Sequence, residues 1–241
     1  MKKLLLLFAA IMLTVSASAQ KKTAVYNKFG DNWYVGSSLG FATPTTSFNS
    51  DGDRFEGLVP KFSLRVGKNL TTVFGLALES DLYFGGSETS WMKHKTFVNG
   101  VNVDILGTFN MNNLLYGYLG QPRPFEVIAL IGGGYRHEYG YGHGGLSGWN
   151  GKAALDLTFN LGEEKAWQLY IEPAAVLGHP RCSWRPKDTI RYGRFGHESA
   201  WKILAQLSVG VIYKFRNSNG THNYKIVETT YNDIDGQYTQ K

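Results

Sequence analysis

WKILAQLSVGVIYKF, residues 201–215, divides into two faces. Trp201, Ile203, Ala205, Leu207, Val209, Val211, Tyr213 and Phe215 carry no polar group beyond the tyrosine hydroxyl. Lys202, Gln206, Ser208 and Lys214 stand among the residues between them. Successive side chains of a strand point to opposite faces, so this is a long strand, apolar on one side and partly charged on the other.

The pattern recurs upstream. In WQLYIEPAAVLG (167–178), Trp167, Leu169, Ile171, Ala175 and Leu177 oppose Gln168, Tyr170 and Glu172. In WNGKAALDLTFN (149–160), Trp149, Ala153, Leu155, Leu157 and Phe159 oppose Asn150, Lys152, Asp156 and Thr158. FVNGVNVDILGTF (97–109) sets Val101, Val103, Ile105 and Phe109 against Asn102, Asp104 and Thr108. VFGLALESDLYF (73–84) sets Phe74, Leu76, Leu78, Leu82 and Phe84 against Glu79 and Asp81, and PKFSLRVG (60–67) sets Phe62, Leu64 and Val66 against Lys61, Ser63 and Arg65. WYVGSSLGF (33–41) and FEVIALIGGGY (125–135) alternate less cleanly, with glycines and Glu126 on the second face. Period two at this density predicts an all-β chain of eight strands, about 33–42, 60–67, 72–84, 97–109, 125–136, 148–160, 167–178 and 200–215. The links after the first, third, fifth and seventh are long, and KNLT and LGEEKA after the second and sixth are short. NMNNLLYGYLGQPRP after the fourth is fairly long. An even number of antiparallel strands with long loops at one end is the pattern of an up-and-down transmembrane barrel of the outer-membrane type.

Charge placement is an independent test. A Lys or Arg facing lipid at the bilayer midplane costs roughly 2–4 kcal/mol. The apolar register of all eight strands contains no Asp, Glu, Lys or Arg; its polar exceptions are Ser37, Ser80 and Asn99. Aromatic residues of that register collect at the strand ends, as expected at membrane–water interfaces. One end carries Trp33, Phe74, Phe109, Phe125, Phe159, Trp167, Tyr213 and Phe215; the other carries Phe41, Phe62, Phe84, Phe97, Tyr135, Trp149 and Trp201. The β-propensity of aromatic residues does not select strand ends on one face.

The second face then lines a barrel narrow enough for side chains to fill it. It holds Lys61, Arg65, Lys152, Lys202 and Lys214 against Glu79, Asp81, Asp104, Glu126, Asp156 and Glu172. Charges so confined must pair. The expectation is a plugged lumen crossed by ion pairs.

The N-terminus assigns a compartment. Lys2 and Lys3, the apolar run LLLLFAAIMLTV and the small residues Ala17-Ser18-Ala19 read as a cleaved signal peptide over residues 1–19. Residues 20–32 are then a periplasmic segment, 33–215 the barrel and 216–241 a polar periplasmic tail. No Cys at the cleavage site suggests a lipoprotein anchor, and the single Cys182 makes no internal disulfide. Without Lys2 and Lys3 the formal charge of +6 falls by two, and no basic cluster indicates nucleic acid.

NWYVGSSLG, VGKNLTTVFGLALE, VNVDILGTFNMNNLLYGY, PFEVIALIGGGY and QLSVGVIYKF resemble the N-terminal barrel of outer membrane protein A-like proteins from Bacteroidetes-type bacteria, over about residues 31–216. The resemblance implies an eight-stranded outer-membrane barrel with a structural or surface-exposed role. Many members add a periplasmic peptidoglycan-binding domain; here the tail ends at Lys241 and peptidoglycan anchoring is not assigned.

Several polar clusters invite chemistry and fit it poorly. GHESA holds His197, Glu198 and Ser199, but neighbours on a strand face opposite ways, so a catalytic triad does not assemble from them. HEYGYGHGG, with His137, Glu138 and His143, reads as a glycine-rich loop without metal-ligand spacing, and Asp51 and Asp53 flank Gly52 in a turn rather than a calcium loop. HPRCSWRPKDTIRYGRFGHES is a different matter: Arg181, Arg185, Lys187, Arg191 and Arg194 lie among aromatic rings near the outer leaflet, and such a cation-rich collar suits lipopolysaccharide phosphates.

These readings converge on a non-enzymatic, cofactor-free outer-membrane barrel that supports envelope integrity and displays loops for adhesion to a host or surface ligand. The alternatives are a narrow porin-like channel for small solutes or ions, a lipid A-modifying enzyme, and a soluble lipocalin-like barrel with its apolar face turned inward.

Overall fold

The computed structural model describes residues 23–24, 29–44, 58–84, 97–139, 146–178, 202–215, 224, 226–227, 229–231 and 238–240. Through them run β1 Trp33–Pro44, β2 Val59–Asn69, β3 Phe74–Phe84, β4 Val98–Asn110, β5 Phe125–Glu138, β6 Leu146–Leu161, β7 Trp167–Gly178 and β8 Lys202–Lys214. Each pairs antiparallel with the next, and β8 returns to β1, so the eight strands close a barrel with no free edge. A tilted strand crosses a bilayer in about 9–11 residues. The shortest strands here have 11 residues and the longest has 16.

Every strand end falls within two residues of its sequence expectation. The largest consequence is at β5. Its ladder with β6 continues through Arg136↔Gly148 and His137↔Ser147 to Glu138↔Leu146, so His137 and Glu138 belong to a strand and not to the expected loop. A short helix, α1 Met111–Tyr116, occupies the link between β4 and β5. Asn110 caps it by accepting from the Asn113 amide at 2.9 Å, and Gly117, at φ 71°, ends it.

Side-chain direction follows the alternation. Ile105 is 66% exposed and Leu207 56%, whereas Glu79, Asp104, Lys152 and Asp156 on the other face are at most 2% exposed. Aromatic pairs sit on the outer surface at both ends. Phe74 packs on Phe109 at 5.2 Å, Phe125 on Phe159 at 5.1 Å and Trp167 on Tyr213 at 4.7 Å at the barrel's terminal end, where β1 begins and β8 finishes. Phe84 packs on Phe97 at 5.2 Å and Tyr135 on Trp149 at 5.3 Å at the other. Trp201 lies outside the described residues.

The interior is layered. Ala42, Val59, Tyr83, Val176 and Leu204 form an apolar layer toward the end away from the termini. A second layer, around Tyr34, Leu106, Leu130, Tyr170 and Ile212, lies toward the termini. Arg65, Glu79, Asp81, Lys152 and Glu172 pair with one another between these layers, whereas Glu126 and Lys214 lie near the ends of their strands. Large rings fit this narrow space because glycines face them: Tyr34 pairs with Gly67 and Tyr170 with Gly210 across adjacent strands. A Cβ on Gly210 would stand 2.6 Å from the Ser37 carbonyl oxygen as well as against the Tyr170 ring.

Two local departures interrupt the ladder. Between Tyr83↔Gly100 and Phe84↔Val98 the pairing skips Asn99, a bulge that takes this polar exception out of the regular register. Between β6 and β7 the pairing passes from Ala154↔Ala174 to Leu157↔Ile171, with Pro173, which has no amide hydrogen, in the gap.

Candidate functional site in the barrel interior

β2 and β3 are neighbours, while β6 and β7 stand across the lumen. Inward residues of all four meet at Arg65. Its Nε donates to Glu79 Oε2 at 2.5 Å and its Nη1 to Asp156 Oδ2 at 2.6 Å, while Nη2 reaches Glu172. The fork geometry of guanidinium suits several carboxylates at once. Its plane also lies 5.2 Å from the centre of the Tyr170 ring. Lys152 closes the group from β6, pairing with Glu79, with Glu172 at 3.0 Å and with Asp81 at 3.9 Å.

Toward the end away from the termini, Lys61 donates to Gln206 Oε1 at 2.9 Å and lies 3.3 Å from Asp81. Ser63 donates to the same carboxylate at 2.5 Å, the Tyr83 hydroxyl donates to it at 3.3 Å, and Gln206 Nε2 donates to that hydroxyl at 2.7 Å. Arg136 shares the inward register of Glu126 on β5: it is buried, and its guanidinium lies 4.4 Å from the Tyr83 ring centre. Arg136 is absent from the expected interior set although it ends the expected strand 125–136; its even spacing from Glu126 is the local signal that finds it. Asp104 accepts from Asn102 Nδ2 at 2.6 Å, and Asn150 in turn donates to Asn102.

Toward the termini the polar contacts loosen. Asn160 Nδ2 donates to Glu126 Oε2 at 3.0 Å, and its Oδ1 accepts from Gln168 at 2.6 Å and Lys214 at 3.2 Å. A cavity of about 70 Å³ opens here, bounded by Arg65, Asp156, Gln168 and Lys214 above and by Tyr118 and Tyr224 below. Tyr224 donates to the Asn69 carbonyl at 2.7 Å and meets Tyr118 edge-on at 6.2 Å. Burial raises the Tyr118 hydroxyl, which lies in the link beyond the strands, above its ordinary range.

Of the expected interior set, Lys61, Arg65, Glu79, Asp81, Asp104, Glu126, Lys152, Asp156, Glu172 and Lys214 are all buried inside the barrel. Lys202 opens β8, and its side chain is outside what is described. Arg181, Arg185, Lys187, Arg191 and Arg194 lie outside the described residues, as do Cys182, His143, Asp51, Asp53 and the His197–Ser199 tripeptide. Among the described residues no group of His, Cys, Asp and Glu is arranged to hold a metal. One nucleophile–base contact does form: His137 Nδ1 and Ser147 Oγ are 2.6 Å apart across β5 and β6. The His137 ring packs edge-on against Tyr139 at 4.8 Å, and neither an acid orienting the imidazole nor an oxyanion donor accompanies the pair among the described contacts.

No protein-family model matches the chain, and no curated protein matches it. Solved structures do. Neisserial surface protein A is 9% identical, over 77% of this chain and 98% of that one, with a TM-score of 0.47. The N-terminal β-barrel domain of OprF from Pseudomonas aeruginosa is 13% identical over 76% and 99%, with a TM-score of 0.42. Ail, the attachment invasion locus protein of Yersinia pestis, is 13% identical over 77% and 99%, with a TM-score of 0.37. The closed barrel itself rests on the strand ladder of this chain.

Proposed function

We propose that this chain is an outer-membrane barrel with a plugged, ion-paired lumen, serving envelope integrity and displaying surface loops. One observation carries the reading: the chain is inverted relative to a water-soluble barrel. Its acids and bases are inside and hydrogen-bonded, while large apolar side chains cover the outside between two rings of aromatic pairs. A soluble monomer rarely exposes a continuous apolar surface beyond a few hundred Å². A bilayer accepts it, because the closed ladder pairs backbone polar groups strand to strand all the way round, interrupted at the Asn99 bulge and at Pro173. The same inversion argues against the lipocalin-like alternative.

The plug follows from the layering. A conducting path along the axis has to pass the Arg65–Lys152 carboxylate cluster and the apolar layers on both sides of it. The cavity of about 70 Å³ has room for only a few waters and is bounded by Arg65 and Asp156. The loop cations Arg181, Arg185, Lys187, Arg191 and Arg194 are proposed to meet lipopolysaccharide phosphates. The resemblance to outer membrane protein A-like chains, including its Bacteroidetes-type colouring, rests on the quoted motifs alone.

Planar-bilayer recording of the purified, refolded chain separates the structural reading from the channel reading. A closed baseline is expected; large, steady single-channel currents contradict the plug.

A further inference from the structure

The link between β4 and β5 presents apolar side chains that the barrel does not use. Leu115 is 68% exposed, Tyr116 74% and Leu119 66%. They are not on a loose loop. Asn113 is buried and donates to the Thr72 carbonyl at 2.8 Å, while its Oδ1 accepts from Arg123 at 2.7 Å. Arg123 also donates to the Gly117 carbonyl at 2.8 Å, and the Asn112 side chain accepts from the Val127 amide at 2.7 Å. The polar residues of MNNLLYGYLG therefore hold this segment to the barrel rim, Tyr118 turns in against Tyr224, and Leu115, Tyr116 and Leu119 point away.

The position of the segment says what meets them. Met111 and Leu114 share one shallow apolar groove with Phe74, Phe109, Ala129 and Ile131, which are residues of the outer wall. The apolar surface of α1 is thus continuous with the surface already assigned to the bilayer, at the level of the Phe74–Phe109 ring pair. We propose that α1 and Leu119 form a foot that inserts into the bilayer leaflet on the side of the chain termini, its occupant being the acyl-chain and headgroup boundary of that leaflet. The inference rests on the membrane reading above. The foot fixes the depth of the barrel on one side only, because the other two links at this end, 70–73 and 162–166, are shorter and carry no comparable helix. Amphipathic helices bind such boundaries by burying an apolar face to a depth of about 5–10 Å.

The test uses the full chain with Cys182→Ser, reconstituted into phosphatidylethanolamine–phosphatidylglycerol vesicles. A polarity-sensitive fluorophore is attached in turn at Leu115→Cys, Leu119→Cys and, as a wall reference, Leu207→Cys. Lipids carrying a nitroxide near the headgroup end of the acyl chain serve as quenchers. Blue-shifted emission and loss of intensity at 115 and 119, together with lipid quenching at 207, is the expected result. Quenching at 207 with water-like, unquenched emission at 115 and 119 overturns the foot and leaves the membrane reading standing. Energy transfer between labels at 115 that rises with protein density, without lipid quenching, overturns it in favour of a second copy. Absence of quenching at all three positions removes the membrane reading itself.

Discussion

At the scale of single residues, Arg65 is the centre of the interior. It joins carboxylates from β3, β6 and β7, two of them 91 and 107 residues away in sequence. Truncating one partner of a buried charge group typically costs about 3–5 kcal/mol, since the remaining charges stay buried and uncompensated. Arg65→Met is therefore expected to destabilise the barrel by about that amount, read as a lower urea midpoint in phospholipid vesicles; Arg65→Lys loses the fork and falls between. At Gly210 the limit is space. Gly210→Ala sets a methyl group against the Tyr170 ring and the Ser37 carbonyl, so overpacking of about 1–3 kcal/mol is expected in the same assay, and its cost is expected to shrink when measured in a Tyr170→Ala background. The identity of the inward charges was legible from alternation because one register holds them all. Their pairing was not. Which acid faces Arg65 across the lumen depends on the stagger of strands around the closed sheet, a quantity no local stretch contains.

At the scale of elements, the outward face of each strand sets the cost of a charge by its depth. Ile105 lies mid-strand on β4 with its side chain outward, so Ile105→Arg is expected to cost about 2–4 kcal/mol in a bilayer, against about 0–1 kcal/mol for the same change near a strand end at Phe41. Equal costs at the two depths contradict a lipid-facing outer wall. Strand existence, type and facing were readable because a strand apolar on one side repeats every second residue. Three details escaped. The bulge at Asn99 and the gap at Pro173 alter pairing without altering the pattern on either strand alone. The third is α1, whose six residues are too few for a helical period to emerge.

At the scale of the whole molecule, closure turns two weak facts into one strong constraint. A sheet with one apolar face needs something to cover that face, and among the described residues no second protein layer covers the outside of this closed sheet. The apolar layers above and below the Arg65–Lys152 cluster make the interior a core rather than a pore. The links at the end away from the termini, where the sequence places its basic, aromatic collar, are largely outside the described residues, so the surface ligand follows from chemistry alone. The inversion of the barrel is what the rest depends on, and β8 offers its most direct test. Nitroxide side chains placed singly at Ile203, Ala205, Leu207, Val209 and Val211, and at Leu204, Gln206 and Ser208, report collision with oxygen dissolved in the bilayer. High accessibility at every odd position and low accessibility at every even one is the expected result in vesicles. The opposite phase, or no alternation, contradicts the account.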